Sequence, residues 1–482
     1  MAEQPHVDHL VGTGPGLADI LLCAGEAGSH LFESVTAGGP LSRWSILFSA
    51  STDRIVRRPT GDVERNGREA GQVRFLDAFE AARSAHPAVV DGETFLASHD
   101  LPTDFPFLGG WSFYLSYEMA AEIEPTLDLP DFALGADTGF PAALAEYHPA
   151  ALVRDHVTGR DHVVHDATPE GERLAAVLIA ARRDAVSTPG GDVAPPGLER
   201  LDPPPGERYR EGVRRVREYL FAGDVFQANL SHPWRFRLAE GADAVAAYRS
   251  LCRRNPAPFA AWYRQPEGEI LSSSPERLVR VAGGRAETRP IAGTRRRDPD
   301  PTRDGDLVEQ LKGHPKERAE HVMLIDLERN DLGRVCEPGT VGVDELMVVE
   351  SYAHVHHLVS NIGGRLPTGT SSLAALAATF PGGTITGCPK VRCMEILAEL
   401  EGSGRGPYTG SLGYLSAHGR LDSNILIRSL FLAPDGQGEF RTGAGIVADS
   451  RSRRELEETL EKARGVLDAL GGPEALEKGR PT

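Results

Sequence analysis

Two acidic pairs have a spacing suited to chemistry. Glu317 and Glu320 lie in PKERAEHVMLIDLERNDLGR, and Glu455 and Glu458 lie in ELEETLEKA. No Gly or Pro interrupts Lys316 to Leu332, and Gly333 follows, which predicts one helix with Val322, Leu324, Ile325 and Leu327 on its apolar side. Acids three apart on a helix share a face and repel by roughly 0.2–0.5 kcal/mol unless a cation offsets them. Two readings follow: solvated acids beside Lys316 and Arg318, or oxygen ligands for a hard cation such as Mg²⁺. Glu455, Glu458 and Lys462 repeat the theme at i, i+3 and i+7. Two such helices facing one another would hold an ion between them, while Glu457 and Glu461 equally fit a solvated face.

Other stretches offer anion-binding chemistry. FPGGTITGCPK (380–390) has the composition of a phosphate loop but lacks the GxxxxGK[ST] spacing, and its Lys390 follows Pro, so a nucleotide site is excluded. Backbone N–H groups ahead of a helix there could still bind a carboxylate, and Gly443-Ala444-Gly445, read as a small-residue turn, could do the same. Arg428 follows Ile425-Leu426-Ile427, and a guanidinium at the end of a buried strand needs an anion: a substrate carboxylate or a structural partner. His354, His356 and His357 are not spaced like a zinc-protease pair, and no GxSxG elbow occurs. GTGPG at 12–16 lacks the strand–helix setting of a dinucleotide site.

The elements that must position these residues follow from the rest of the chain. Its 482 residues suit two or three domains, and 40% hydrophobic with 25% charged residues is ordinary for a globular protein. A formal charge of −17 excludes nucleic acid as a general partner. The five cysteines form no CxxC pair, which points to a reducing cytoplasm. The N-terminus has no signal-peptide pattern, and no run of 18 apolar residues predicts a membrane span. Six Pro and four Gly mark 187–206 as a linker between an amino-terminal domain (1–186) and a second domain (207–470), with a tail at 471–482. Strands are expected at Gln227–Pro233, Val355–Ile362, Gly410–Leu415 and Ile425–Phe431, a tight turn at Pro290–Thr294, and a long closing helix at Arg453–Leu470. The fold class is α+β with antiparallel pairing.

Ten segments, in order, resemble the catalytic component of chorismate-using enzymes: GDVFQANLS, SSSPERLV, RPIAGT, HPKERAEHVMLIDLERNDLGRV, HVHHLVS, FPGGTITGCPKVRCMEI, YTGSLGY, NILIRS, GAGIVADS and ELEETLEKA. The family includes anthranilate, aminodeoxychorismate, isochorismate and salicylate synthases. The resemblance spans residues 207–468, and the first 150 residues, with LFES and GGWSFYLSYE, resemble the family's amino-terminal domain more loosely. It implies two large antiparallel sheets stacked with helices outside and the site between them. By the same resemblance, Glu320 and Glu458 coordinate Mg²⁺ with Glu317 and Glu455 behind them. Tyr408, Arg428, Gly443, Gly445 and Lys462 hold the carboxylates of chorismate, and Thr288 and Thr384 line its ring. Glu276 is a general acid near the leaving group, and His357 sits beside the ring.

Two positions choose among the chemistries. Water-adding members carry Lys where this chain has Gln227, and an amide cannot deprotonate water near neutral pH. The resemblance therefore implies amination, with ammonia from a separate glutamine amidotransferase (glutaminase) subunit. SRWSI, NPAPF, ILSSSPERL and TITGCPK look like aminodeoxychorismate synthases, which place nitrogen at C4. Ala292 in PIAGT looks like anthranilate synthases, which aminate C2; many aminodeoxychorismate synthases have a nucleophilic Lys there. The inhibitor site of anthranilate synthases includes LLES, matched here by Leu31-Phe32-Glu33-Ser34, which leaves feedback by tryptophan open.

Overall fold

The computed structural model describes residues 4–36, 39, 41–71, 73–86, 91–186, 193–352 and 355–472. Two antiparallel sheets of 12 strands each organise them. The first passes through His6–Leu10, Arg160–His165, Ala150–Asp155, Trp44–Ser49, Gly28–Glu33, Phe259–Gln265, Gly268–Ser274, Ser429–Leu432, Gln437–Ile446, Gln227–Leu238 and Leu198–Asp202, with Gly387–Cys388 paired beside Gln227–Leu238. The second passes through Ile291–Arg296, Val355–Arg365, Arg285–Arg289, Arg277–Ala282, Leu421–Asn424, Ser411–Ser416, Gly110–Leu115, Ala143–His148, Asp53–Arg57, Val63–Arg65 and Arg68–Glu69, with Gly342–Ser351 beside Val355–Arg365.

Strand alternation gives each sheet two apolar faces, and each face finds a cover. Between the sheets, Val56, Tyr114 and Leu144 meet Ala261, Tyr263, Ile270 and Phe431. On the outside of the first sheet, Trp234, Trp262 and Phe440 pack against Leu21, Leu178, Leu251 and Leu467 from four helices. On the outside of the second, Phe113 and Val279 pack with Phe79, Ile325, Leu376 and Met394, again from four helices. The α+β arrangement of two stacked antiparallel sheets with helices outside is as expected. Among the described residues no helix is long and apolar enough to cross a membrane.

Several sequence expectations change. The predicted linker is not a free tether, since Leu198–Asp202 pairs with Gln227–Leu238; residues 187–192 lie outside the described residues. Nor do the two halves fold apart: Gly28–Glu33 pairs with Phe259–Gln265, and Gly110–Leu115 with Ser411–Ser416. The turn expected at Pro290–Thr294 is instead a strand, Ile291–Arg296, because Val355–Arg365 lies alongside to pair with it. Gly443-Ala444-Gly445 lies inside Gln437–Ile446, in register with Ser231, Leu230 and Asn229. The strand expected at Ile425–Phe431 splits, because the chain crosses there from Leu421–Asn424 in one sheet to Ser429–Leu432 in the other.

The Pro315–Gly333 helix forms as expected. Pro315 occupies its first turn, where a missing N–H costs nothing, and His314 Nδ1 accepts the Glu317 N–H at 3.4 Å. Its buried side is His321, Leu324, Ile325, Leu327, Glu328, Asp331 and Leu332, following the 3.6-residue period. Val322 falls off that stripe and is 50% exposed, contrary to its expected place on the apolar side.

A buried ionic knot fixes the strands around the site. Glu401 ends the Lys390–Glu401 helix between Arg405 Nη2 at 2.7 Å and Arg441 Nη2 at 2.9 Å. Burial works to raise its pKa, but the two guanidiniums outweigh it and hold the carboxyl below its ordinary range. Glu401→Ala should cost about 3–5 kcal/mol of stability, since it strands two buried cations. Urea unfolding measures this, and a loss under about 1 kcal/mol would contradict the role.

Candidate active site

Strand Gln227–Leu238 places Gln227 and Asn229 on one face by its two-residue period. The neighbouring strand supplies Gly443 and Gly445 beneath them. A Cβ on Gly445 would stand 2.4 Å from Gln227 Nε2, and one on Gly443 would stand 2.6 Å from Leu230 O and 2.9 Å from both Asn229 Oδ1 and Tyr408 Oη. These positions need Gly because side chains and backbone close over them. Asn229 Nδ2 donates to Thr384 O at 3.3 Å, which ties this face to the Gly383–Ile385 turn. Lys462 Nζ reaches in from the Ser452–Leu470 helix, donating to Gly443 O at 3.0 Å and pairing with Glu458 Oε1 at 2.7 Å.

Glu276 sits where the chain leaves the first sheet for the second, between Gly268–Ser274 and Arg277–Ala282, and is buried. Burial pushes its carboxyl up to about 7, opposed by the Thr384 hydroxyl, the Ile291 N–H, Arg428 and Lys462 beside it. Arg428 lies on the return crossing with φ 52°, a left-handed backbone uncommon outside Gly. Burial also lowers its pKa, and Glu276 is the charge that opposes this shift. Among the described residues Arg428 forms no ion pair, so the structural salt bridge is not the reading this geometry supports. His357 stands opposite Thr294, with Nδ1 2.8 Å from Thr294 Oγ1. Its ring is pushed down to about 3 by burial and by Arg428, so the imidazole is neutral at ordinary pH. His356 is held by Ser351 and Asp304, and His354 lies outside the described residues. Tyr408 is buried, and burial pushes its phenol up to about 12.

The acids expected to hold a metal divide into two pairs. Glu317 Oε1 pairs with Arg295 Nη2 at 2.7 Å, while its Oε2 is buried without a hydrogen bond in space left by Gly293, where a Cβ would stand 2.8 Å away. Glu320 is half-buried one turn on. Glu455 is buried and Glu458 exposed on the closing helix. Among the described residues no three acidic, His or Cys side chains stand close enough to grip a metal ion by themselves. Mg²⁺ usually takes only one or two carboxylates and keeps water and substrate oxygens. With an unpaired acceptor at Glu317, the donor set suits an ion shared with a substrate and not a closed protein cage.

Orphaned polar atoms recur across the cluster. Gln227 Oε1, Asn229 Oδ1, Glu276 Oε1, Thr288 Oγ1, Glu317 Oε2 and Thr384 Oγ1 are buried and make no hydrogen bond to the protein. Buried polar groups are nearly always paired, so such a concentration marks a place for a polar ligand. Thr288 is the last residue but one of the Arg285–Arg289 strand, and Ala292 is the second of Ile291–Arg296, half-buried. Asn229 and Glu328 were missed in the sequence, although spacing was a usable signal for Asn229, which is two residues along the strand from Gln227. A separate cavity of about 500 Å³ is bordered by Phe32 and Glu33 of LFES with Arg277, Tyr414 and Asn424, and by none of the expected substrate or metal residues.

The chain belongs to the chorismate binding enzyme family, whose sequence model matches residues 42–468. It is a chorismate-utilising enzyme. An anthranilate synthase component 1 of Thermus thermophilus is 42% identical, with 93% of each chain covered. An aminodeoxychorismate synthase component 1 of Klebsiella aerogenes is 40% identical over 76% of this chain and 78% of the relative. The crystal structure of anthranilate synthase component I from Streptococcus pneumoniae superposes with a TM-score of 0.76 at 30% identity, covering 88% of this chain and 92% of that one.

An acid can give a proton only while it holds one. Glu276 is protonated below about 7, so turnover of chorismate should decline as pH rises through that value. Glu276→Gln should lower kcat by about 10²–10⁴. The pH profile of kcat/KM checks this, and a flat profile between pH 6 and 8 would remove Glu276 as the acid.

Proposed function

We propose that the chain aminates chorismate at C4, with Mg²⁺ and with ammonia delivered by a glutaminase subunit, giving 4-amino-4-deoxychorismate. The observation that carries an anionic, oxygen-rich substrate is the set of buried unpaired polar atoms beside two cations, Arg428 and Lys462. Those cations would take the carboxylates, with Gly443 and Gly445 leaving room at the backbone and Tyr408 offering its hydroxyl. Thr288 and Thr384 would line the ring. Glu320 and Glu458 would hold Mg²⁺, with Glu317 and Glu455 behind them; when bound, the ion would screen a substrate carboxylate from these acids.

In the reaction, ammonia forms the new C–N bond as the C4–O bond breaks. Glu276 gives its proton to the departing hydroxyl, which leaves as water, and the new ammonium returns a proton to the carboxylate. The neutral His357 ring, oriented by Thr294, accompanies that transfer. Gln227 supplies no base, so water is not activated, and Ala292 supplies no nucleophile, so no enzyme–substrate bond forms.

Ala292 also favours a second reading. Without a lysine there, direct attack at C2 with loss of the same hydroxyl would give 2-amino-2-deoxyisochorismate or, after loss of pyruvate, anthranilate. Incubating the chain with chorismate, Mg²⁺ and an ammonium salt separates the two. A product that aminodeoxychorismate lyase converts to p-aminobenzoate is expected, and anthranilate or a 2-amino product would reverse the order. The metal assignment has its own test. Glu320→Gln should abolish Mg²⁺ binding by calorimetry and Mg²⁺-dependent turnover without loss of thermal stability; undiminished Mg²⁺ binding would sink it.

A further inference from the structure

One buried carboxyl is used by none of these steps. Glu328 lies on the Pro315–Gly333 helix and is 4% exposed. It sits beneath the Gly383–Ile385 turn: a Cβ on Gly383 would stand 3.7 Å from Glu328 Oε1. The charged groups that face it are Asp331 on its own helix, Lys390 at the head of the Lys390–Glu401 helix, and Glu276 on the crossing between sheets; Thr288 from the Arg285–Arg289 strand is its polar neighbour.

The cation is already committed. Lys390 Nζ pairs with Asp331 Oδ2 at 2.6 Å and also donates to Thr379 O at 3.3 Å. Glu328 therefore shares one lysine with a nearer carboxylate and faces a second acid, Glu276. A buried carboxyl without its own cation binds a proton instead. Burial, then Asp331, then Glu276 act in that direction, and they push Glu328 well above the ordinary carboxylate range. Its neutrality matters to the neighbouring site, where an anion is to be held beside Glu276, Thr288 and Thr384.

We infer that Glu328 is a positioning residue that must stay neutral for the site to hold an anionic substrate, and that its ionisation sets an upper pH limit on chorismate binding. The carboxyl acts through charge, not contact. Ionised, it adds an unpaired negative group beneath the ring-lining threonines and opposes a dianion. As a protonated acid it leaves the field to Arg428 and Lys462. This inference rests on the reading of the site as a chorismate site.

The test is equilibrium binding of chorismate by calorimetry, with Mg²⁺ present and no ammonium salt, from pH 6.5 to 9.5, for the wild type, Glu328→Gln and Glu328→Met. Both variants are permanently neutral, and Met keeps the length should the amide disturb folding. The wild type should bind comparably to the variants near pH 6.5 and lose affinity relative to them above pH 8. The ratio of dissociation constants should grow by about tenfold over the unit of pH beyond the titration. A ratio that is constant with pH in both variants would overturn the inference and leave Glu328 a packing residue. Absence of chorismate binding in the wild type at every pH would instead overturn the site assignment itself.

Discussion

The site depends on one carboxylate kept charged inside the protein. Glu401 would be protonated by its burial were it not held between two guanidiniums. The remaining N–H groups of those arginines then fix the chain around it. Arg405 donates to Asn229 O at 2.7 Å and to Ile385 O at 3.2 Å, and Arg441 donates to Gly404 O at 3.0 Å and to Ser231 Oγ at 3.2 Å. Strand Gln227–Leu238, the Gly383–Ile385 turn and the loop before Tyr408 are thus registered to one point. Arg405 also lies 5.6 Å over the Tyr408 ring. Apolar side chains could fill the same volume, but they could not satisfy those acceptors, and the strand carrying Gln227 and Asn229 would lose its anchor to the turn carrying Thr384.

A single physical cause divides the roles within the site. Burial penalises whichever form of a group is charged, so it raises an acid and lowers an imidazole. Glu276 is thereby brought near 7 and His357 down to about 3, although the two flank the same arginine. At neutral pH the site offers an acid close to its titration, a neutral ring and two cations. Groups whose environments push their pKa values apart in this way mark acid–base assignments. The crossing of the chain between the two sheets makes this arrangement possible. Glu276 is on the outgoing crossing and Arg428 on the returning one, so neither belongs to a regular strand, and Arg428 takes a left-handed backbone there.

The sequence made local features legible and long-range ones not. The Pro315–Gly333 and Ser452–Leu470 helices could be read from spacing and caps, and the fold class from turn signals and ordered motifs. Gly443 and Gly445 were legible as small residues but not as strand, since their strand is made by pairing with residues more than 200 positions earlier. The same holds for Ile291–Arg296, whose Gly and Thr argue for a turn until Val355–Arg365 lies alongside. The Pro-rich 187–206 stretch signals a linker by composition, yet Leu198–Asp202 within it finds an edge to pair with. Glu328 was hidden for a different reason: on a helix with acids along much of its length, burial, not identity, decides which acids matter, and burial is a tertiary property.

Two chemically quiet side chains narrow the reaction most. The Gln227 amide is lodged against Gly445 with its oxygen unpaired, and it neither takes a proton from water nor releases one. In the proposed reading Ala292 brings only a methyl group to a position where an amine would bond covalently to the ring. In the proposed reaction a small diffusible nucleophile attacks, and Glu276 protonates the leaving group. In both proposed amination routes the same hydroxyl departs, so the roles proposed for Glu276, Arg428 and Lys462 are common to the two. The routes differ only in which carbon ammonia meets first.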